Sequence, residues 1–318
     1  MEKYTFVSIV IPAFNEESII YRSVEKISQA LLSAGAVNYE IIVVDDGSTD
    51  KTFEEISRIR KNNPSVKGIK LSRNFGKESA LFAGLKIANG QAVITIDADL
   101  QHPPNLIPEM LEKWKSGAKI IHAVKRDRSN DSMSTRWRAW AFNTLYSMLS
   151  GISIDNSSDF KLLDRSVVNI LVEQLQERQR FYRGLTDWVG FNQVFLEFDV
   201  EPRMSGQGKW SLCALIDLAL TATISFSIAP LRIITILGLI TLCFAFLVAI
   251  DALWSWYHGV AVSGFATLEI SILIIGSFVM ISLGIAGEYI AKIYQEVKKR
   301  PSYLVADKCG YNEESFKP

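Results

Sequence analysis

Asp97, Asp99 and Gln101 stand at alternate positions directly after four β-favouring residues, Val93, Ile94, Thr95 and Ile96. On an extended backbone alternate side chains point to the same side, so two carboxylates and an amide oxygen face one direction at a strand end. Hard oxygen donors of that kind suit Mg²⁺ or Mn²⁺, with water and substrate phosphates filling the remaining coordination positions. A lone Asp-x-Asp also fits a solvated turn after a buried strand. The other acidic residues bear on the choice.

Glu16, Asp45 and Asp46 each follow an apolar run of strand length. Residues 7–11 form one such run, stopped by Pro12, and residues 40–44 form another; short apolar runs suit buried parallel strands. Between them Ile19, Ile20, Val24, Ile27 and Leu31 recur at helical spacing. Asp50 is placed to cap the helix that follows it. Residues 66–71 read as a third strand, 78–88 as a helix ended by Gly90, and 119–124 as a fifth strand after the one that runs into Asp97. Strands and helices alternating at these lengths predict an α/β sheet with right-handed crossovers. In such sheets ligands bind beyond the carboxyl ends of the strands. Glu16, Asp45, Asp46, Asp97 and Asp99 then share one rim, where five carboxylates are costly unless a cation or a hydrogen-bonding ligand offsets them. His102, followed by two prolines, reads as a turn residue, and Trp114 as helix packing.

The segments ValIleProAlaPheAsnGluGlu (10–17), ValValAspAspGlySerThrAsp (43–50) and AspAlaAspLeuGlnHisProPro (97–104) occur in that order. Together they resemble the inverting GT-A glycosyltransferases of family 2, over residues 1–210. Neither a Gly-x-Gly-x-x-Gly loop nor a Gly-Lys-Ser/Thr loop is present, which excludes the dinucleotide and P-loop readings. The resemblance implies a Rossmann-like domain that binds a nucleotide sugar. It puts Pro12, Phe14, Glu16 and Asp45 or Asp46 at the base and ribose. It puts Asp97, Asp99 and Gln101 at a metal, Mg²⁺ or Mn²⁺, that bridges the donor diphosphate; a cation there neutralises charge developing on the leaving group.

Residues 125–138 differ in character. Lys125, Arg126, Arg128, Arg136 and Arg138 stand among Ser, Asn and Asp, with Trp137 and Trp140 close by, a composition that fits a basic loop at a membrane surface. Arg126 and Arg136 are candidate phosphate contacts, because the guanidinium fork matches phosphate oxygens. In residues 203–211, glycines that expose backbone N–H groups lie between Arg203 and Lys209, a combination suited to gripping a phosphate. The polyprenyl-phosphate members of the family carry a similar segment, with Ser where this chain has Gly208. By the same resemblance Asp159, ahead of Phe160, faces the acceptor and either orients it or acts as a base.

Charge and hydropathy bound the rest. The 318 residues carry 34 basic and 34 acidic side chains, with mean hydropathy +0.16. No basic field points to nucleic acid. Cys213, Cys243 and Cys309 are scattered, lack metal spacing and read as free thiols in a reducing compartment. The first residues lead into a strand without an apolar leader. Residues 233–250 and 270–287 are uncharged runs long enough to span a bilayer. The shorter stretch 218–231 fits an interfacial helix, with Pro230 turning the chain into the bilayer. Lys209 and Arg232 precede the first run, Lys292, Lys298, Lys299 and Arg300 follow the second, and the loop 258–264 has neither Lys nor Arg. That asymmetry puts both termini on the cytoplasmic side, with Trp254, Trp256 and Tyr257 as an aromatic belt at the far interface.

The expected division is a cytoplasmic GT-A domain over 1–210, an interfacial region over 211–231, two transmembrane helices within 232–291 and a cytoplasmic tail over 292–318. The tail's strand-like 303–305 piece is placed to pair with a neighbouring subunit, which favours a homo-oligomer. Among family members the resemblance is to the bacterial undecaprenyl-phosphate glucosyltransferases and to dolichol-phosphate mannose synthase. It implies inverting transfer of a hexose, glucose from UDP-glucose first, to a polyprenyl phosphate on the cytoplasmic face. GDP-mannose is the alternative donor. A non-catalytic partner of a lipid flippase that kept the fold is the alternative of a different class.

Overall fold

The computed structural model describes residues 6–36, 38–126, 157–175, 177, 180–199, 229–259 and 264–311. The chain divides into two compact units, one that holds all the strands, including the stretch after Pro301, and one that holds two long helices.

In the first unit β1 (Phe6–Ala13), β2 (Asn38–Asp45) and β3 (Val66–Leu71) run parallel, and β4 (Ala92–Thr95) joins β1 in parallel on its other side. β5 (Ile120–Lys125) and β7 (Gln193–Phe198) are parallel to each other, while β6 (Ser157–Asp164) enters between β4 and β5 antiparallel to both. β8 (Val305–Cys309) closes the far edge antiparallel to β3, giving the order β7-β5-β6-β4-β1-β2-β3-β8. The parallel half matches the expectation from alternating strands and helices. The tail does not: its strand pairs with β3 of its own chain, because β3 offers an open edge and the hydrogen bond from Ser72 N–H to Leu304 C=O starts the ladder.

The helices cover both faces. α1 (Ile20–Ser33) buries Ile20, Val24, Ile27 and Leu31, one stripe at 3.6-residue spacing, against the sheet face that carries Val7, Ile9, Ile11, Ile41 and Val43. Each such side chain contributes about 1.5–3 kcal/mol as an upper estimate. α2 (Thr52–Asn62) and α4 (Ile107–Lys115) join the same layer through Ile56 and Met110. α3 (Lys77–Ile87) packs on β1 and β2. Its Gly84 has no Cβ because one would lie 2.3 Å from Val10 Cγ1. α5 (Arg165–Asn169) runs on as one π-helical turn, Ile170–Gln174, and α6 (Tyr182–Trp188) lies against β6.

In the second unit α7 (Ala229–Tyr257) and α8 (Phe265–Val297) pack on each other. They contain two stretches long and apolar enough to cross a membrane, Ile234–Ser255 and Ser271–Val297, with mean hydropathy 2.5 and 1.9. At 1.5 Å per residue these reach about 33 and 40 Å, more than the ~30 Å hydrocarbon core. Leu239, Phe246, Leu273 and Met280 are all exposed, surface that a bilayer would cover. Pro230 sits in the first turn of α7, where its missing N–H leaves no hydrogen bond unmade. The remainder of the expected interfacial region lies outside the described residues.

Candidate active site

A cleft of about 340 Å³ opens at the carboxyl ends of β1, β2 and β4, lined by Pro12, Phe14, Glu16, Asp46, Lys77, Asp97 and Asp99 among others. Its walls are loops laced to one another. Asn15 and Leu100 both take a left-handed backbone, at φ 56° each, a conformation that non-glycine residues adopt at a cost of order 1–3 kcal/mol. At Asn15 the conformation is held by neighbours: its N–H donates to Ser48 Oγ at 2.9 Å and its Oδ1 accepts from Thr49 N–H at 3.0 Å. Glu16 N–H donates to Thr52 Oγ1 at 2.9 Å. The hydroxyl of Ser23, on α1, donates to the carbonyl of Ala98 and so pins the Asp97–Asp99 turn from below.

Adjacent Asp45 and Asp46 have separate positions. Asp46 lines the cleft, and its two oxygens accept the N–H groups of Phe75 at 2.8 Å and Gly76 at 2.9 Å, fixing the loop that starts α3. Burial raises its pKa above the usual carboxylate value, partly offset by those two donors. Asp45 is fully buried; its Oδ1 accepts Ser48 N–H at 2.8 Å, and its Oδ2 lacks a hydrogen-bond partner, with Lys70 Nζ 4.0 Å away.

Asp97, Asp99 and His102 offer ligand atoms that all lie within 4.8 Å of one another. His102 stands in the bend its prolines suggest, but it is not solvated there. It is buried between Phe160 and Phe198, and its Nδ1 lies 3.7 Å from Asp97 Oδ2 without a hydrogen bond. Burial lowers its pKa and keeps the ring neutral, the form in which imidazole binds metals. An orphaned buried nitrogen beside two carboxylates fits a divalent cation. Gln101 donates its backbone N–H to Asp99 Oδ1 at 3.1 Å.

At the cleft is an ionic cluster, centred on the buried carboxylate of Asp159, that the sequence did not disclose. The β4–β6 register pairs Thr95 with Lys161, which brings Asp159 opposite the residue two further on, Asp97. Lys77 Nζ bridges the two, 2.6 Å from Asp97 Oδ1 and 2.5 Å from Asp159 Oδ2. Arg183, on α6, grips Asp159 from the other side, Nε to Oδ1 at 2.7 Å and Nη2 to Oδ2 at 3.1 Å. Burial alone would raise the Asp159 pKa, but Arg183 and Lys77 outweigh it and hold the carboxyl well below its usual range. Burial likewise opposes the Lys77 charge, and Asp97 and Asp159 more than restore it. Glu78, half-buried next to them and accepting Tyr182 N–H at 2.9 Å, is pushed up to about 7 by desolvation and by Asp159. Lys161, fully buried with its ammonium on Thr186 Oγ1 at 2.5 Å, is brought down to about 8.

None of the expected phosphate contacts among the described residues is in this cluster. Arg126 follows β5, on the same rim because β5 runs parallel to β4 through the shared partner β6. Its guanidinium is exposed and paired with Glu197 at 3.3 Å and Asp199 at 3.4 Å. Arg136, Arg203 and Lys209 lie outside the described residues. Trp114 does pack on the core, and its Nε1 also donates to Asp164 Oδ2 at 2.8 Å. The roles of Lys77 and Arg183 were not read because neither stands in a local motif with Asp159; the signals available were Lys77 at the head of a helix that follows a rim loop and the stretch 181–184, whose sequence reads as a helix and turn on the acceptor side.

The model of the Glycosyl transferase family 2 matches residues 8–174. A glycosyltransferase of Synechocystis sp., described as uncharacterised, is 43% identical over 95% of this chain and 95% of its own. A prophage bactoprenol glucosyl transferase homolog of Escherichia coli is 39% identical over 94% of this chain and 98% of its own. The bactoprenol glucosyl transferase of Shigella phage SfII is 39% identical over 94% and 97%. The chain belongs to glycosyl transferase family 2, and its mixed sheet is the GT-A-like α/β architecture of that family.

Proposed function

We propose that the chain moves one hexose, glucose from UDP-glucose, with inversion to a polyprenyl phosphate at the cytoplasmic face of a membrane. The observation that carries this reading is the meeting of Asp97 and Asp99 with Pro12, Phe14, Glu16 and Asp46 in one cleft. The lipid acceptor and the glucosyl group are supported by the names of relatives 39% identical over nearly full length, and the membrane by α7 and α8.

The residues present suit such a reaction. A phosphate monoester has its second pKa near 6, so the acceptor is anionic at neutral pH and needs no strong base. Asp159, with both oxygens committed to cations, then acts by holding Lys77 and Arg183 where two anionic substrates must meet. Pro12, Phe14, Glu16 and Asp46 shape the nucleotide pocket. Asp97, Asp99, Gln101 and His102 would hold Mg²⁺ or Mn²⁺, which supplies charge neutralisation at the leaving diphosphate. Arg126, Arg136, Arg203 and Lys209 are assigned to the acceptor phosphate.

The test is transfer in detergent from radiolabelled UDP-glucose to undecaprenyl phosphate with Mn²⁺ or Mg²⁺, with and without EDTA. The expected product is an organic-extractable glycolipid that EDTA abolishes. Asp99→Ala should lower transfer by about 100-fold or more while the protein stays folded. Near wild-type transfer by folded Asp99→Ala would remove the metal-site reading. Transfer only from GDP-mannose would change the donor, and no transfer from any donor in protein that binds UDP would favour the partner-protein alternative.

A further inference from the structure

Lys77 already occupies, with its charge, the place where a cation is wanted. Its ammonium contacts Asp97, one of the candidate ligands, at 2.6 Å and Asp159 at 2.5 Å. The position is built rather than incidental. Lys77 is the first residue of α3; Gly76 before it has φ 95°, and the two N–H groups ahead of it are clamped by Asp46. Arg183 stabilises the other end by gripping Asp159. A fixed positive charge a few ångströms from a metal position repels an incoming dication, and in a partly buried cleft that repulsion is only partly screened. An anionic diphosphate in the same cleft reverses the balance, since it attracts both cations.

We propose that Lys77 is a resident counter-ion that keeps divalent-cation affinity low in the empty cleft and releases it when a nucleoside diphosphate arrives, so that cation and nucleotide are taken up together. This rests on the metal-assisted nucleotide reading above and adds to it a coupling between the two ligands and the residue that enforces it.

The test is Mn²⁺ binding to the full chain in detergent, followed by the loss of the free Mn²⁺ paramagnetic signal, without nucleotide and with UDP. The wild type should bind Mn²⁺ at least about 10-fold more tightly with UDP than without. In Lys77→Met the nucleotide-free affinity should rise by about 10-fold or more and the dependence on UDP should shrink. Lys77→Arg, which keeps the charge, should behave as the wild type. Should Lys77→Met not fold, the pair Lys77→Met/Asp159→Asn removes the charge with its buried partner and is compared with Asp159→Asn alone; the same rise is expected. A folded Lys77→Met, or the pair, that binds Mn²⁺ without UDP no more tightly than its reference overturns the proposal. Wild type that binds no Mn²⁺ even with UDP present overturns the metal reading itself, a distinct result.

Discussion

Burial moves Glu78 from the ordinary carboxylate range to about 7, and that shift has a signed consequence. The folded state holds the proton more tightly than the unfolded chain does, so the stability tied to Glu78 is fully present below the unfolded value of 4.5 and is lost as pH rises through about 7. Glu78→Gln keeps an acceptor for Tyr182 N–H and removes the titration. Its melting temperature should therefore fall less than that of the wild type between pH 5 and 7.5, as thermal unfolding in detergent would read; parallel pH profiles would refute the assignment. At this scale the sequence was readable where chemistry is local. Asp97 and Asp99 follow the strand they were read from and do share the cleft, although β4 ends at Thr95 and a turn with Leu100 at φ 56°, not strand alternation, sets their directions. The sequence was unreadable where partners are remote: Lys77 is 82 residues from Asp159, and Arg183 is 24 residues on. The bend at His102 was legible from its prolines, but its surroundings were not, since its neighbours in space are the remote Phe160 and Phe198 together with Asp97.

Between elements, the rim loops depend on close backbone approach. Gly47 has φ 70°, and a Cβ there would lie 2.3 Å from the carbonyl carbon of Arg73. Gly47→Ala should cost about 1–3 kcal/mol and push away the loop that starts α3. The check is a lower denaturation midpoint together with weaker UDP binding; a midpoint unchanged from wild type would count against this packing. At the far edge β8 protects β3. Removing residues 305–311 should lower the melting temperature and promote aggregation, because an uncovered edge strand presents free N–H and C=O groups. Light scattering on warming would show it. The apolar runs and their helical partners made the parallel half of the sheet legible, with ends displaced by one or two residues. The direction of β6 was not legible, since an antiparallel and a parallel strand buried on both faces share one pattern of residues, and β8, a short half-exposed edge strand, has no apolar pattern that could fix its direction.

Across the whole molecule, the two long helices carry a definite expectation about sidedness. With basic residues flanking the pair and none in the loop 258–264, that loop should face away from the cytoplasm. A single cysteine placed at Gly259, with Cys213, Cys243 and Cys309 replaced by serine, should react in intact cells with a thiol reagent that cannot cross the membrane, while one placed in α2 should not. Labelling of both or of neither would reverse or void the orientation. The course of the chain through these parts also constrains how the protein is made. The strands around the cleft are all synthesised before α7, but β8, which belongs to the same sheet, comes after α8. Until the ribosome has delivered both apolar helices, the catalytic half carries a bare β3 edge and waits as an incomplete sheet. Its last strand arrives only once the anchor has been produced, so a chain that stalls or is cut within the helices leaves an open-edged and sticky fragment for quality control to remove, rather than a finished enzyme adrift from its membrane.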